Sequence, residues 1–159
     1  MRLMILAAIA AVHAAAAAAQ TIAPRQGWQI LATDKSYEAL VSDVIAAVGV
    51  NGLAVVTQAG PTGAAAARGI TIPGNRVIGV FNNAFAVRIL ALSTAAMIEA
   101  PLRFYVTEGA DGSATLAWKE PSFVFAPYFD EGGAALRAAA AELDARFQAI
   151  GTAAAGDGP

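Results

Sequence analysis

The sequence contains no cysteine and a single histidine, His13. His13 lies in an amino-terminal stretch that reads as a removable leader, so the rest of the chain carries neither residue. Without thiols no disulfide can form, whatever the redox state of the compartment. Serine and cysteine nucleophile systems need a base that titrates near neutrality, and none remains. Zinc and copper sites draw on imidazole or thiolate, so no metal and no cofactor is expected. Positive charge is also scarce. Ten Lys and Arg stand against twelve Asp and Glu, a net charge of −2, and losing Arg2 with the leader makes it more negative by one. With no basic patch, nucleic acid is not an expected partner. Beyond residue 19 no apolar run approaches the roughly 20 residues that a membrane-spanning helix needs.

What is present begins with "MRLMILAAIAAVHAAAAAAQ". Arg2 forms a short positive start, an apolar run follows from Leu3, and small residues close it as an Ala-x-Ala type cleavage site. Residues 1–19 read as a signal peptide cut after Ala19. No cysteine can carry a lipid, so the mature chain is expected in the periplasm or the medium. Its length corresponds to one domain, able to bury about two thirds of its unfolded surface without covalent staples.

Hydrophobic periodicity then organises the chain. Residues 20–26 are a polar lead-in, and "GWQILAT" (27–33) reads as a strand. Ser36 is a good N-cap, and Tyr37, Leu40, Val41, Val44, Ile45 and Val48 form an apolar stripe with helical spacing, ended by Gly49 or Gly52. "LAVVTQ" (53–58) is a second strand. "AGPTGAAAARGITIPGN" is a loop with a helical turn that Thr62 could cap and Gly69 could stop. "RVIGVF" (76–81) is a third strand, and a helix runs from Ala84 toward Pro101, with a new cap at Ser93 or Thr94. Two alternating runs around Asp111-Gly112 make a hairpin. One face carries Leu102, Phe104, Val106, Leu116 and Trp118. The other carries Arg103, Tyr105, Thr107, Thr115 and Lys119. "SFVFAPYFDE" reads as an aromatic-rich crossing with no helix assigned to it, residues 132–150 as a last helix, and residues 151–159 as a disordered tail. The expected domain, residues 27–150, is therefore α+β, β-α-β-β-α-β-β-α: a mainly antiparallel sheet of about five strands with helices on one face.

Three segments, "SYEALVSDVIAAVGVNGLAVVTQ", "AAAARGITIPGNRVIGVFNN" and the hairpin "PLRFYV...DGSATLAWKEP", together resemble the domain of unknown function 302 family. The likeness runs from about Trp28 to Ile150. It implies a curved antiparallel sheet with helices on one side, as in the TATA-binding protein, and it implies no reaction. Members commonly carry Asp-His after the second strand, where this chain has Ala59-Gly60. They commonly carry Gly-Asn-Pro before the third-strand helix, where it has Asn82-Asn83-Ala84. A function through that histidine is closed to this chain.

Few polar side chains look placed for chemistry. Asn83 matches the family asparagine and could cap the helix. Asn82 stands in the glycine position, where positive φ is expected, or it could present its amide to a ligand. Glu120, beside a strand end, is the best-placed carboxylate, and with Tyr105 or Lys119 it could supply acid-base chemistry of an uncommon kind. "GPTGAAAARG" lacks the Lys-Ser/Thr ending of a phosphate loop. The polar hairpin face with Arg103, Tyr105 and Lys119 is the better surface. It could dock a protein partner, a second copy as a homodimer, or an anionic small molecule, or simply be solvated. The expected function is a non-catalytic binding or interaction domain. An apolar-ligand carrier, with a cavity under the helix of residues 84–98, is the alternative beside the uncommon enzyme.

Overall fold

The structure, a computed structural model, describes residues 22–156. The expected signal peptide lies outside the described residues, as do residues 157–159. Strand β1 (Trp28–Ser36) leads into helix α1 (Tyr37–Val50), then β2 (Ala54–Ala59), the short α2 (Thr62–Ala66), β3 (Asn75–Phe81) and α3 (Asn83–Leu92). A 3-10 turn (Ala95–Glu99) precedes the hairpin of β4 (Leu102–Glu108) and β5 (Ser113–Lys119). Helix α4 (Pro121–Phe125), a 3-10 turn (Ala126–Tyr128) and α5 (Phe129–Ala155) complete the chain. The five strands form one sheet in the order β1-β5-β4-β3-β2, antiparallel throughout. The expected α+β architecture is what the chain adopts.

Local signals explain most boundaries. The Ser36 hydroxyl accepts the Ala39 N–H at 3.3 Å and starts α1. In the hairpin turn the Asp111 carboxylate accepts from the Ser113 hydroxyl at 2.7 Å and its N–H at 3.0 Å, which holds that carboxyl below its ordinary pKa. Gly112 supplies the positive φ, 84°. The Ser93 hydroxyl accepts the Ala96 N–H and restarts the chain as a 3-10 turn, as expected there. Thr62 does not cap α2. Its hydroxyl donates instead to the Pro73 carbonyl at 3.4 Å.

The core lies between the sheet and two long helices. Leu40, Val44 and Val48 of α1 and Phe147, Ile150 and Ala154 of α5 are buried against Ile78, Phe104, Val106, Leu116 and Trp118. Each fully buried side chain of this size contributes roughly 1.5–3 kcal/mol. The Phe104 ring stacks on Phe147, centroids 4.5 Å apart at 16°, and meets Trp118 edge-on at 5.5 Å and 61°. A second cluster, with Ile89, Phe125, Leu136, Ala140 and Leu143, fastens α3 and α4 to the first half of α5.

Two sequence expectations need correction. The aromatic crossing is helical: Pro121 sits at the first position of α4, where its fixed φ suits a helix and its missing N–H costs nothing. Nor does the tail begin at residue 151, because α5 continues to Ala155 with Gly151 and Ala154 buried. Small residues there have no side chain to bury, yet they let the helix axis approach the sheet. A Cβ on Gly151 would lie 2.3 Å from Cη2 of Trp118. The Lys35 ammonium, paired with Asp43 at 2.7 Å, also donates to the Ala154 carbonyl at 3.0 Å and secures this last turn.

Gly151→Ala separates helix propensity from packing. Propensity alone favours alanine by about 1 kcal/mol, whereas forcing a methyl into the indole costs roughly 1–3 kcal/mol. A lower midpoint in urea denaturation is expected, and a higher one would contradict the close α5–Trp118 contact.

Candidate functional site

With α1 and α5 on one face, side chains that alternate away from them line the other. Strand register places them in rows. Trp28 of β1 pairs with Lys119 of β5, and Arg103 of β4 pairs with Gly79 of β3. Because Phe104 faces Trp118, the preceding residue, Arg103, lies beside Lys119 on the same face. The first row thus reads Trp28–Lys119–Arg103–Gly79. The next reads Ile30–Ala117–Tyr105–Val77.

This face is a groove rather than a flat surface. It encloses about 850 Å³, with the sheet as floor and α4, the 126–128 turn and Glu99 as wall. Its apolar lining includes Trp28, Val77, Leu102, Phe123, Val124 and Pro127. Phe123 reaches this place because Gly27, at φ 70°, has no side chain. A Cβ there would lie 2.1 Å from Cγ of the phenyl ring. The polar lining consists of Asn75, Glu99, Arg103, Tyr105 and Lys119. The Asn75 amide donates to the Tyr105 oxygen at 2.5 Å. The Lys119 ammonium lies 5.7 Å and the Arg25 guanidinium 5.2 Å from the centroid of the Trp28 ring, within cation–π range. Among the described residues, Arg25, Arg103 and Lys119 belong to none of the salt bridges.

Glu99 accepts the Tyr128 hydroxyl at 2.8 Å. That hydrogen bond first, then burial and the charges of Glu99 and Glu131, raise the Tyr128 pKa above its ordinary value of 10.0. The group holds its proton more tightly when folded. Its stabilising contribution is therefore present below the unfolded pKa and lost as pH rises through the folded one.

The candidate residues from the sequence do not converge on one place. Arg103, Tyr105 and Lys119 do share the groove. Glu120 points to the opposite side of the sheet, where it accepts from the Gln29 amide at 2.6 Å and shares a separate hollow with Asp144 and Gln148. Lys119 and Glu120, adjacent in the chain, thus line different hollows, and Tyr105 shares that of Lys119. Asn82, not Asn83, is the N-cap of α3. Its side-chain oxygen accepts the Phe85 N–H at 3.0 Å, and its amide donates to the Gly52 carbonyl at 2.8 Å. Its φ is −142°, so positive φ is not required there. Asn83 is the first helical residue and is exposed. Both polar atoms of Asn82 are thus engaged, its oxygen in capping α3 and its amide in joining that end to the α1–β2 turn. In the hollow beside it Arg88 and Arg146 both engage Glu142, at 2.6 Å and 3.9 Å. The apolar cavity between α3 and the sheet holds about 40 Å³, far below the roughly 300–1,000 Å³ of small-molecule sites. The carrier alternative has no room there.

Sequence reading missed Trp28, Phe123 and the α4 wall. Trp28 was legible only as a strand residue, and Phe123 lay in a segment without periodicity. Among the described residues, no cluster of three or more potential metal ligands occurs, and no helix is long and apolar enough to cross a membrane.

Comparison with known proteins agrees with this description. Residues 29–154 match the family described as Domain of unknown function DUF302, and the chain belongs to that family. A crystal structure of an uncharacterized conserved protein DUF302 from Bacillus stearothermophilus superposes with a TM-score of 0.69, covering 80% of this chain and 97% of that one at 16% identity. Likeness at that identity speaks for the fold. No curated protein matches the chain.

Two outcomes follow. Asn82→Ala should lower stability in urea denaturation by about 0.5–2 kcal/mol as a lost cap, while Asn83→Ala should change it little; the reverse ranking would overturn the assignment. In an ultraviolet titration the Tyr128 phenol should ionise above its ordinary value of 10.0. Glu99→Gln should bring it down, because the hydrogen bond to Glu99 is the largest cause of the rise.

Proposed function

We propose that this chain is an exported, non-catalytic binding domain that holds a small molecule in the groove on the open face of its sheet. The observation that carries this reading is the groove itself. Its volume of about 850 Å³ falls within the range of small-molecule sites. Its lining is mostly aromatic and aliphatic with a few convergent polar groups, the composition such sites favour. Glu99, the carboxylate in the lining, is engaged by Tyr128. Export rests on the pattern of residues 1–19. DUF302 membership supplies the fold and leaves the ligand open.

The test is native mass spectrometry of the protein recovered from an exported fraction. A monomer carrying an added small-molecule mass, lost in Trp28→Ala with Phe123→Ala, is expected. A bare monomer would count against a retained ligand, and a clean homodimer without added mass would make the open face a self-contact instead. Recovery only from the cytoplasm, with the leader intact, would refute export.

A further inference from the structure

We infer that the groove takes a flat organic acid, an apolar ring or conjugated body with one anionic head. This rests on the reading of the groove as a small-molecule site and specifies its ligand. Lys119 and Arg103 occupy neighbouring strands in the first row of the open face, both exposed, with the Lys119 ammonium 5.7 Å from the centroid of the Trp28 ring on its other side. Like charges directly opposite each other in an antiparallel pair destabilise the sheet. No carboxylate within salt-bridge distance relieves them among the described residues. Such violations of local pairing rules are expected where function requires them, and an anion laid over the row would convert the repulsion into two attractive contacts.

Hydrogen-bonding capacity points the same way. The Tyr105 oxygen already accepts from Asn75, so its own O–H is left to donate. Arg103 and Lys119 can only donate. One oxygen of Glu99, on the wall, accepts from Tyr128. The polar side chains of the first row itself, Lys119 and Arg103, are donors only, and their complement is a carboxylate or another oxyanion. The body of the ligand is specified by what surrounds that head. Trp28 lies two strands from Arg103, about 10 Å at the usual strand spacing, and Phe123, Val124 and Pro127 form the facing wall. A bicyclic aryl acid can cover that distance, with its ring against Trp28 and Phe123 and its head between Lys119, Arg103 and Tyr105.

Isothermal titration calorimetry of the purified protein with 2-naphthoate, neutral 2-naphthalenemethanol and cationic 2-naphthylmethylammonium tests this. Naphthoate should bind at least about tenfold more tightly than either, the scale of charge-assisted hydrogen bonds. Raising the sodium chloride concentration should erode its advantage. Arg103→Gln with Lys119→Gln should abolish the preference while leaving binding of the alcohol in place. That variant should be no less stable in urea, since it removes a repulsion. An alcohol that binds as well as naphthoate would sink the anion assignment and leave the groove reading standing. Preference retained in the double variant would place the anion elsewhere and also overturn it. If none of the three binds, or if all bind Trp28→Ala undiminished, the groove reading falls as well. Tighter binding of a polyglutamate peptide, lost in the double variant, would replace the small acid with an acidic protein.

Discussion

The stack of Phe147 on Phe104, with Trp118 set edge-on beside it, is the contact on which the rest of the molecule depends. It joins the last helix to the central strand, β4, and to its neighbour β5. That contact commits one face of the sheet to α1 and α5. Because strand side chains alternate, committing one face also decides what the other displays. Every residue that pairs inward, from Ile78 to Trp118, has a neighbour that faces the groove. The site is in this sense the complement of the core.

Helix α5 has a second task. Its first half holds Phe125 and Ile89 through Leu136, Ala140 and Leu143. That anchorage lets α4 turn away from the core and present Phe123 and Val124 to the open face. A groove needs a wall as well as a floor, and here the wall is fixed by apolar contacts behind it. Polar contacts reinforce the same joints. Arg88 and Arg146 meet Glu142 between α3 and α5, and Arg146 donates to the Asn51 carbonyl at 3.0 Å. Most are partly exposed, and exposed ion pairs are worth little individually. Their role is to set the orientation of α3 rather than to supply the bulk of stability.

The polar residues that stood out in the sequence divide by this geometry. Asn82 looked unusual because it sits between two apolar runs, and its two hydrogen bonds account for it as a structural joint. Arg103, Tyr105 and Lys119 looked ordinary, as the polar half of a hairpin. Their significance comes from what lies above them. A solvated sheet face would make them unremarkable. Beside α4 they share a groove with Trp28 and Phe123, while Arg103 and Lys119 themselves remain exposed.

The sequence by itself determined the α+β class, the five strands, the hairpin and the division of β4 and β5 into apolar and polar faces. It did so because periods of 2.0 and 3.6 are local properties, written in the spacing of residues such as Leu40, Val44 and Val48. Missing residue types were equally legible, and with them the absence of imidazole and thiolate chemistry downstream of His13. The tertiary structure alone decided the rest. Trp28 and Phe123 are 95 positions apart, and no local pattern brings them to one groove. Glu120 adjoins Lys119 in the chain and is separated from it by the thickness of the sheet. Gly151 carries no side chain to reveal its place against Trp118. These relations depend on which surfaces approach each other, and close approach is a property of packing that neither spacing nor composition records.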